Sequence, residues 1–259
     1  MNSRPVALIT KRNPGYFGVP LARLLARAGH DLVLHTPAQG ANHPIPESEN
    51  AGLAAELEQL GAEVESVSDA DINTLEGNQR LVDAAMNRFG RLDAACLITG
   101  RMIFRDFLET GKADWDDEKR DNIDSVFYGL QAVLRPMIAA GTGRVLVSTS
   151  SLATRPEHRL AVYSATKACA NALVRSAAFE YSEHGVAINA IGTSFMDATG
   201  FKTAFGANEP GRRAELEAQV PLRRLGSIEE VAEFAAVLLD GRCDFQTGQF
   251  FNLSGGWSH

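Results

Sequence analysis

Short apolar runs alternate along this chain with longer segments whose apolar residues recur at helical spacing, and that alternation constrains the fold more than any other feature. "PVALIT" (5–10) precedes "VPLARLLARAG" (19–29), "DLVLHT" (31–36) precedes "ENAGLAAELEQLG" (49–61), and "AEVESVSDADI" (62–72) precedes "EGNQRLVDAAMNRFG" (76–90). The order continues with "LDAACLITG" (92–100) before a long helical stretch (114–137), "GRVLVSTSS" (143–151) before another (163–185), and "VAINAIG" (186–192) before 227–240, closing on "TGQFFNLSGG" (247–256). Strands separated by helices pair in parallel through crossovers, so the expectation is a doubly wound α/β fold: a parallel sheet of about seven strands with helices on both faces. The 259 residues and 45% hydrophobic content suit a single α/β domain spanning residues 1–259. Two stretches read as loops, 37–48 and 197–213. Ligands bind at the carboxyl ends of strands in such sheets, so the later loop, about 195–215, is the expected substrate-binding segment.

Charge and cysteine content exclude several functions. Acidic residues outnumber basic ones, 32 to 25, and no long basic run occurs, which argues against nucleic acid or an anionic membrane as partner. No apolar stretch reaches membrane-spanning length, and the first ten residues lack the pattern of a secretory signal. Cys96, Cys169 and Cys243 are odd in number, far apart and without metal-ligand spacing, so reduced thiols, a cytoplasmic location and no metal site are expected.

Tyr163 and Lys167 stand at i and i+4 of a helical segment, so both side chains leave the same face. An ammonium beside a phenol favours phenolate, and such a tyrosine can give a proton to a carbonyl oxygen or take one from an alcohol. Ser150 ends an apolar strand at the edge where ligands bind, and its hydroxyl could hold the same substrate oxygen; Ser151 is the alternative. Asn122, inside the long helical stretch, could hold a water for proton relay.

These residues and their surroundings resemble the short-chain dehydrogenase/reductase family along the whole chain. "DNIDSVF" is similar to the family's "VNLxGVF", "GRVLVSTS" to "GxIVNISS", "YSATKA" to "YxASKA", and "TGQFFNLSGG" to "TGQxxxVDGG". The resemblance implies a Rossmann-type fold and a catalytic tetrad of Asn122, Ser150, Tyr163 and Lys167. It also implies an NAD(P)-dependent oxidoreductase that interconverts a ketone or aldehyde with an alcohol, assembled as a homodimer or homotetramer. Cofactor contacts would come from Thr10, Lys11, Arg12, Gly15 and Gly18 after the first strand, Thr36 after the second, Asp71, Gly100 and Thr193 after later ones, and Tyr163 and Lys167 themselves.

Departures from the family pattern keep two alternatives open. The family's "TGxxxGxG" becomes "TKRNPGYFG", one residue longer, with Lys11 at the first glycine and Tyr16 at the middle one; "NNAG" becomes "LITG", and "PG" becomes Thr193-Ser194. Bulky residues there crowd the places where glycine lets phosphates approach the backbone. Halohydrin dehalogenases, relatives remodelled to bind halide, show some likeness at "AGHDLVLH", although they carry arginine where this chain has Lys167. A catalytically silent binding protein is the other alternative. No acid stands at Thr36 to repel a 2′-phosphate, and Lys11 or Arg12 could reach one, so NADP(H) is expected over NAD(H). Arg155 and His158, between Ser150 and Tyr163, could hold a substrate carboxylate or phosphate, while Phe195 and Phe201 could line an apolar pocket.

Overall fold

The structure is a computed structural model that describes residues 4–11, 16–36 and 47–258. In chain order the elements are β1 (Val6–Ile9), α1 (Gly18–Arg27), β2 (Asp31–His35), α2 (Glu47–Gln59), β3 (Val64–Val67), α3 (Leu75–Phe89) and β4 (Ala94–Leu97). There follow α4 (Lys112–Lys119), α5 (Ser125–Ala140), β5 (Gly143–Ser150), α6 (Ala161–Tyr181), β6 (Val186–Thr193), α7 (Thr199–Phe205), α8 (Pro210–Gln219), α9 (Ile228–Leu239) and β7 (Phe250–Leu253). The strands form one seven-stranded sheet in the order β3-β2-β1-β4-β5-β6-β7, and every pairing is parallel.

Side chains of a strand alternate between faces, and a sheet covered on both sides needs apolar residues at both alternations. β1 meets this need in four residues: Val6 and Leu8 join one core with α3, α5 and α6, while Ala7 and Ile9 join the other with α1, α2 and α9. The same division recurs at Leu32 and Val33 in β2 and at Val145 and Leu146 in β5. A third apolar cluster lies beyond the strand ends, built from Leu152, Leu160, Phe195, Leu216 and Trp257, with Tyr163 packed against it.

The doubly wound arrangement agrees with the sequence, but the expected loop 197–213 does not remain a loop. It folds into α7, closed by Gly206 at φ +72°, and the start of α8, whose Pro210 sits in the first turn. Both helices are short, and α8 buries only Leu216, so little periodicity was available to reveal them. Of the loop 37–48, residues 37–46 lie outside the described residues, and Glu47 already opens α2. Among the described residues no helix is long and apolar enough to cross a membrane, and no group of His, Cys, Asp and Glu could hold a metal.

Candidate active site

The order of the sheet reverses between β1 and β4, and the carboxyl ends of these strands open a crevice. Thr10 closes the floor of that crevice: its hydroxyl donates to the Ile98 carbonyl (3.0 Å) and accepts from the Ile98 N–H (2.8 Å). This expected cofactor residue is thus engaged with β4 backbone. α1 begins at Gly18 with no side chain capping it and no acid in its first turn, so its positive end is available to an anion. Arg12 and Gly15 lie outside the described residues.

Four residues meet at the far side of this crevice. Ser150 is the last residue of β5 and pairs in register with Thr193 of β6. Its hydroxyl faces Tyr163, whose ionised form it favours, and accepts the Leu152 N–H at 3.2 Å. Ser151 is fully buried and gives its hydroxyl to Asn252 of β7 (2.5 Å), which leaves Ser150 as the serine beside Tyr163. Tyr163 lies half-buried in the first turn of α6, and Lys167, one turn on, is 1% exposed with its ammonium 5.6 Å from the Tyr163 ring centre. The Lys167 ammonium donates to the Thr99 carbonyl at 3.3 Å.

Asn122 occupies a π-helical turn, Arg120–Asp124, that joins α4 to α5; such turns often mark functional sites. Its side chain is fully buried and grips Arg101 twice, accepting from the Arg101 N–H (3.2 Å) and donating to the Arg101 carbonyl (2.9 Å). Gly100 makes this convergence possible. At φ +125° it holds a conformation L residues avoid, and a Cβ there would come within 2.8 Å of Lys167 Nζ and 2.9 Å of Asn122 Oδ1.

With Asn122, Ser150, Tyr163 and Lys167 in one place, the comparisons with known proteins become decisive. The family model described as Enoyl-(Acyl carrier protein) reductase matches residues 17–258. The 2-dehydro-3-deoxy-D-gluconate 5-dehydrogenase of Escherichia coli (strain K12) is 30% identical over 253 residues, covering 97% of this chain and 94% of that protein. The A-factor type gamma-butyrolactone 1'-reductase (1S-forming) of Streptomyces virginiae is 32% identical over 257 residues, covering 98% and 95%. Among solved structures, a gluconate 5-dehydrogenase from Burkholderia cenocepacia J2315 in complex with NADP and tartrate superposes with a TM-score of 0.85 at 25% identity, covering 99% of this chain and 96% of that one. The chain belongs to the short-chain dehydrogenase/reductase family. It is an NAD(P)-dependent oxidoreductase of alcohols and carbonyl compounds.

Two ionisable groups of this dehydrogenase depart from the sequence reading, which places Lys11 toward a 2′-phosphate and does not single out Glu118. Lys11, at the family's first glycine, holds a left-handed backbone at φ 43° and donates through its ammonium to the Gly100 carbonyl at 2.6 Å. It therefore stands beside Lys167 at the end of β4, and not at the end of β2, where reaching a 2′-phosphate would place it. Only its backbone N–H meets β2, donating to His35 Nδ1 (3.0 Å). Burial brings the His35 pKa down to about 4, so His35 is neutral at pH 7 with its proton on Nε2. The second group is Glu118, one helical turn before Asn122 and 1% exposed. Its Oε1 accepts the Ile103 N–H at 2.6 Å, whereas Oε2 is buried without a hydrogen bond. Burial lifts its carboxyl to about 7, against the opposing pull of the Ile103 N–H and of Lys167. The i, i+4 spacing from Asn122 was the one signal that could have exposed Glu118.

The electrostatics correct one expectation. Burial raises the Tyr163 phenol rather than lowering it, with further contributions from Tyr16 and Glu118, and the hydroxyl of Ser150 opposes them. Lys167 is itself brought down to about 7, first by burial and then by the neighbouring Lys11. Desolvation outweighs the pairing that spacing alone suggested. Tyr16, at the family's middle glycine, is 45% exposed overall; its phenol end is nonetheless desolvated, which raises its pKa, and stands within electrostatic reach of Tyr163.

The remaining expected residues lie further out. Asp71 caps the turn before α3 and pairs with Arg120 at 3.3 Å. Thr36 is buried just after β2, with its N–H on the Val67 carbonyl (2.9 Å). Arg155 and His158 are exposed; the Arg155 guanidinium donates to the Trp257 carbonyl and lies 4.4 Å over the Trp257 ring. Phe195 and Phe201 belong to the apolar cluster against Tyr163. A cavity of about 210 Å³ bounded by Phe195, Met196, Leu222 and Glu230 includes none of the four catalytic candidates and is not the reaction cleft.

Proposed function

We propose that Tyr163 is the general acid and base of this enzyme, that Ser150 holds the substrate oxygen, and that Lys167 and Asn122 position the proton path. The observation that carries the reading is the meeting of Lys167 Nζ and Asn122 Oδ1 at Gly100, directly behind Tyr163. In reduction, Tyr163 gives its phenolic proton to the carbonyl oxygen held by Ser150; in oxidation, the phenolate takes the proton of the alcohol. The dinucleotide supplies or takes up the hydride when bound. Lys167, Tyr163, Gly100 and Thr193 surround the reacting end of its site, and the positive end of α1 suits its phosphates. The whole chain acts as one catalytic domain.

NADP(H) is the preferred cofactor. β2 ends in His35 and is followed by Thr36, neither of which carries a negative charge at pH 7, and a carboxylate there would repel a 2′-phosphate. The similar gluconate 5-dehydrogenase, complexed with NADP, supports the same choice. The enzyme works as a homo-oligomer in the cytoplasm, as its family resemblance implies; Phe179 on α6 and Phe245 before β7, 93% and 98% exposed, are candidate contact residues, and its cysteines are unpaired. Fluorescence titration with NADPH and NADH, followed by turnover of carbonyl compounds, tests the reading. Tighter binding of NADPH with turnover supports it, tighter binding of NADH removes the cofactor preference, and binding of neither removes the dehydrogenase reading itself.

A further inference from the structure

Resting on that reading, we infer that the substrate is an uncharged carbonyl compound or alcohol with an apolar, ring-sized body, and not a sugar acid. The third apolar cluster divides into a buried half, with Phe195 at 5% and Trp257 at 2% exposure, and a partly open half formed by Met102, Phe104, Tyr163, Phe201 and Phe205. The open half contains the catalytic phenol. Its aromatic members interlock: Phe201 stacks on Phe205 with centres 4.4 Å apart, Phe104 meets Phe205 edge-on at 5.3 Å, and Phe195 joins Phe201 to Trp257 at 5.6 and 5.0 Å. A substrate whose reacting oxygen reaches Ser150 and Tyr163 lays the rest of its body on this surface.

Charge around the cluster gives the same answer. Arg101 and Arg105 flank Met102 and Phe104 in sequence, but they pair with Asp117 (2.9 Å) and Asp114 (3.2 Å). Arg159, beside Leu160, pairs with Asp106 at 3.3 Å. On the opposite rim Asp197 takes both Lys202 of α7 (2.8 Å) and Arg213 of α8 (2.9 Å). Arg155, suited by sequence position to a substrate anion, is held on Trp257. Lys11 and Lys167 face the carbonyls of Gly100 and Thr99 in the crevice of β1 and β4, on the dinucleotide side. A carboxylate on the aromatic side would therefore meet cations already matched by aspartates or, for Arg155, engaged by Trp257, over a surface that gains nothing from solvating it.

The test compares methyl 5-oxohexanoate with free 5-oxohexanoate, and 2-butanone with its longer straight-chain homologues and with cyclohexanone, using the full enzyme and NADPH. The expected result is a kcat/KM at least tenfold higher for the ester than for the acid, and a rise of about threefold to fourfold per added methylene until the surface is covered. Phe205→Leu should raise KM for the longer ketones about tenfold and leave the affinity for NADPH unchanged. Quenching of Trp257 fluorescence by cyclohexanone, measured in a Trp115→Phe protein, reads binding without turnover. Equal or faster turnover of the free acid, or a flat response to chain length, overturns the inference and leaves the dehydrogenase reading standing. Quenching without oxidation of NADPH by any carbonyl compound supports the apolar site and sinks the dehydrogenase reading.

Discussion

Replacing Lys11 with methionine keeps the length of the side chain and removes one of two ammonium groups bound to successive carbonyls, Gly100 and Thr99. Two ammonium groups about 6 Å apart repel by about 1–3 kcal/mol at the effective dielectric of a protein site. The sign is fixed. Lys11 disfavours the charged form of Lys167, so its loss raises the pKa of Lys167. The limb of kcat against pH that Lys167 sets should move to higher pH by roughly one to two units in Lys11→Met. Glu118 and Asp121, which act on Lys167, and Arg101, which acts on Lys11, remain in both proteins and do not account for the movement. Lys11→Gly separates charge from strain: it should move the limb equally and, by relieving the left-handed φ of 43°, stabilise the fold by about 1 kcal/mol in denaturant melts. A folded Lys11→Met enzyme whose limb stays where the parent's lies would refute the reasoning.

Gly100→Ala should cost about 1–3 kcal/mol of stability and most of the turnover, because the new methyl meets Lys167 and Asn122 in a left-handed backbone; an alanine enzyme with the parent's Tm and kcat would contradict this. Glu118, held at about 7 against an ordinary 4.5, binds its proton more tightly folded than unfolded. It therefore contributes roughly 3 kcal/mol that is fully present below pH 4.5 and lost as pH rises through 7. Glu118→Gln should flatten that fall in urea melts taken from pH 4 to 8, and an unchanged slope would show that the carboxyl does not titrate there.

The sheet was legible because each strand obeys one rule, apolar residues at both alternations, and each helix of the two main layers carries a broad apolar stripe. The convergence of Ser150, Tyr163 and Lys167 was legible because Tyr163 and Lys167 share a turn and Ser150 ends a strand. What escaped depends on backbone angles that no periodicity reports. The φ of Lys11 decides whether its ammonium faces the second strand or the fourth, and Glu118 is the one buried residue of α4, a helix whose composition reads as solvated. The helices α7 and α8 were hidden for a different reason: with one buried residue between them, their register is set by the aromatic cluster they cover, not by their own pattern.

The most direct measurement is single-turnover reduction of a neutral ketone by NADPH in Tyr163→Phe, with the affinity for NADPH followed by fluorescence in the same protein. The phenol acts mainly on the reacting oxygen in the transition state, so the rate should fall on the order of a thousandfold while the dissociation constant for NADPH stays within about twofold. A phenylalanine enzyme that transfers hydride at the parent's rate would contradict the assignment of Tyr163 as the proton donor.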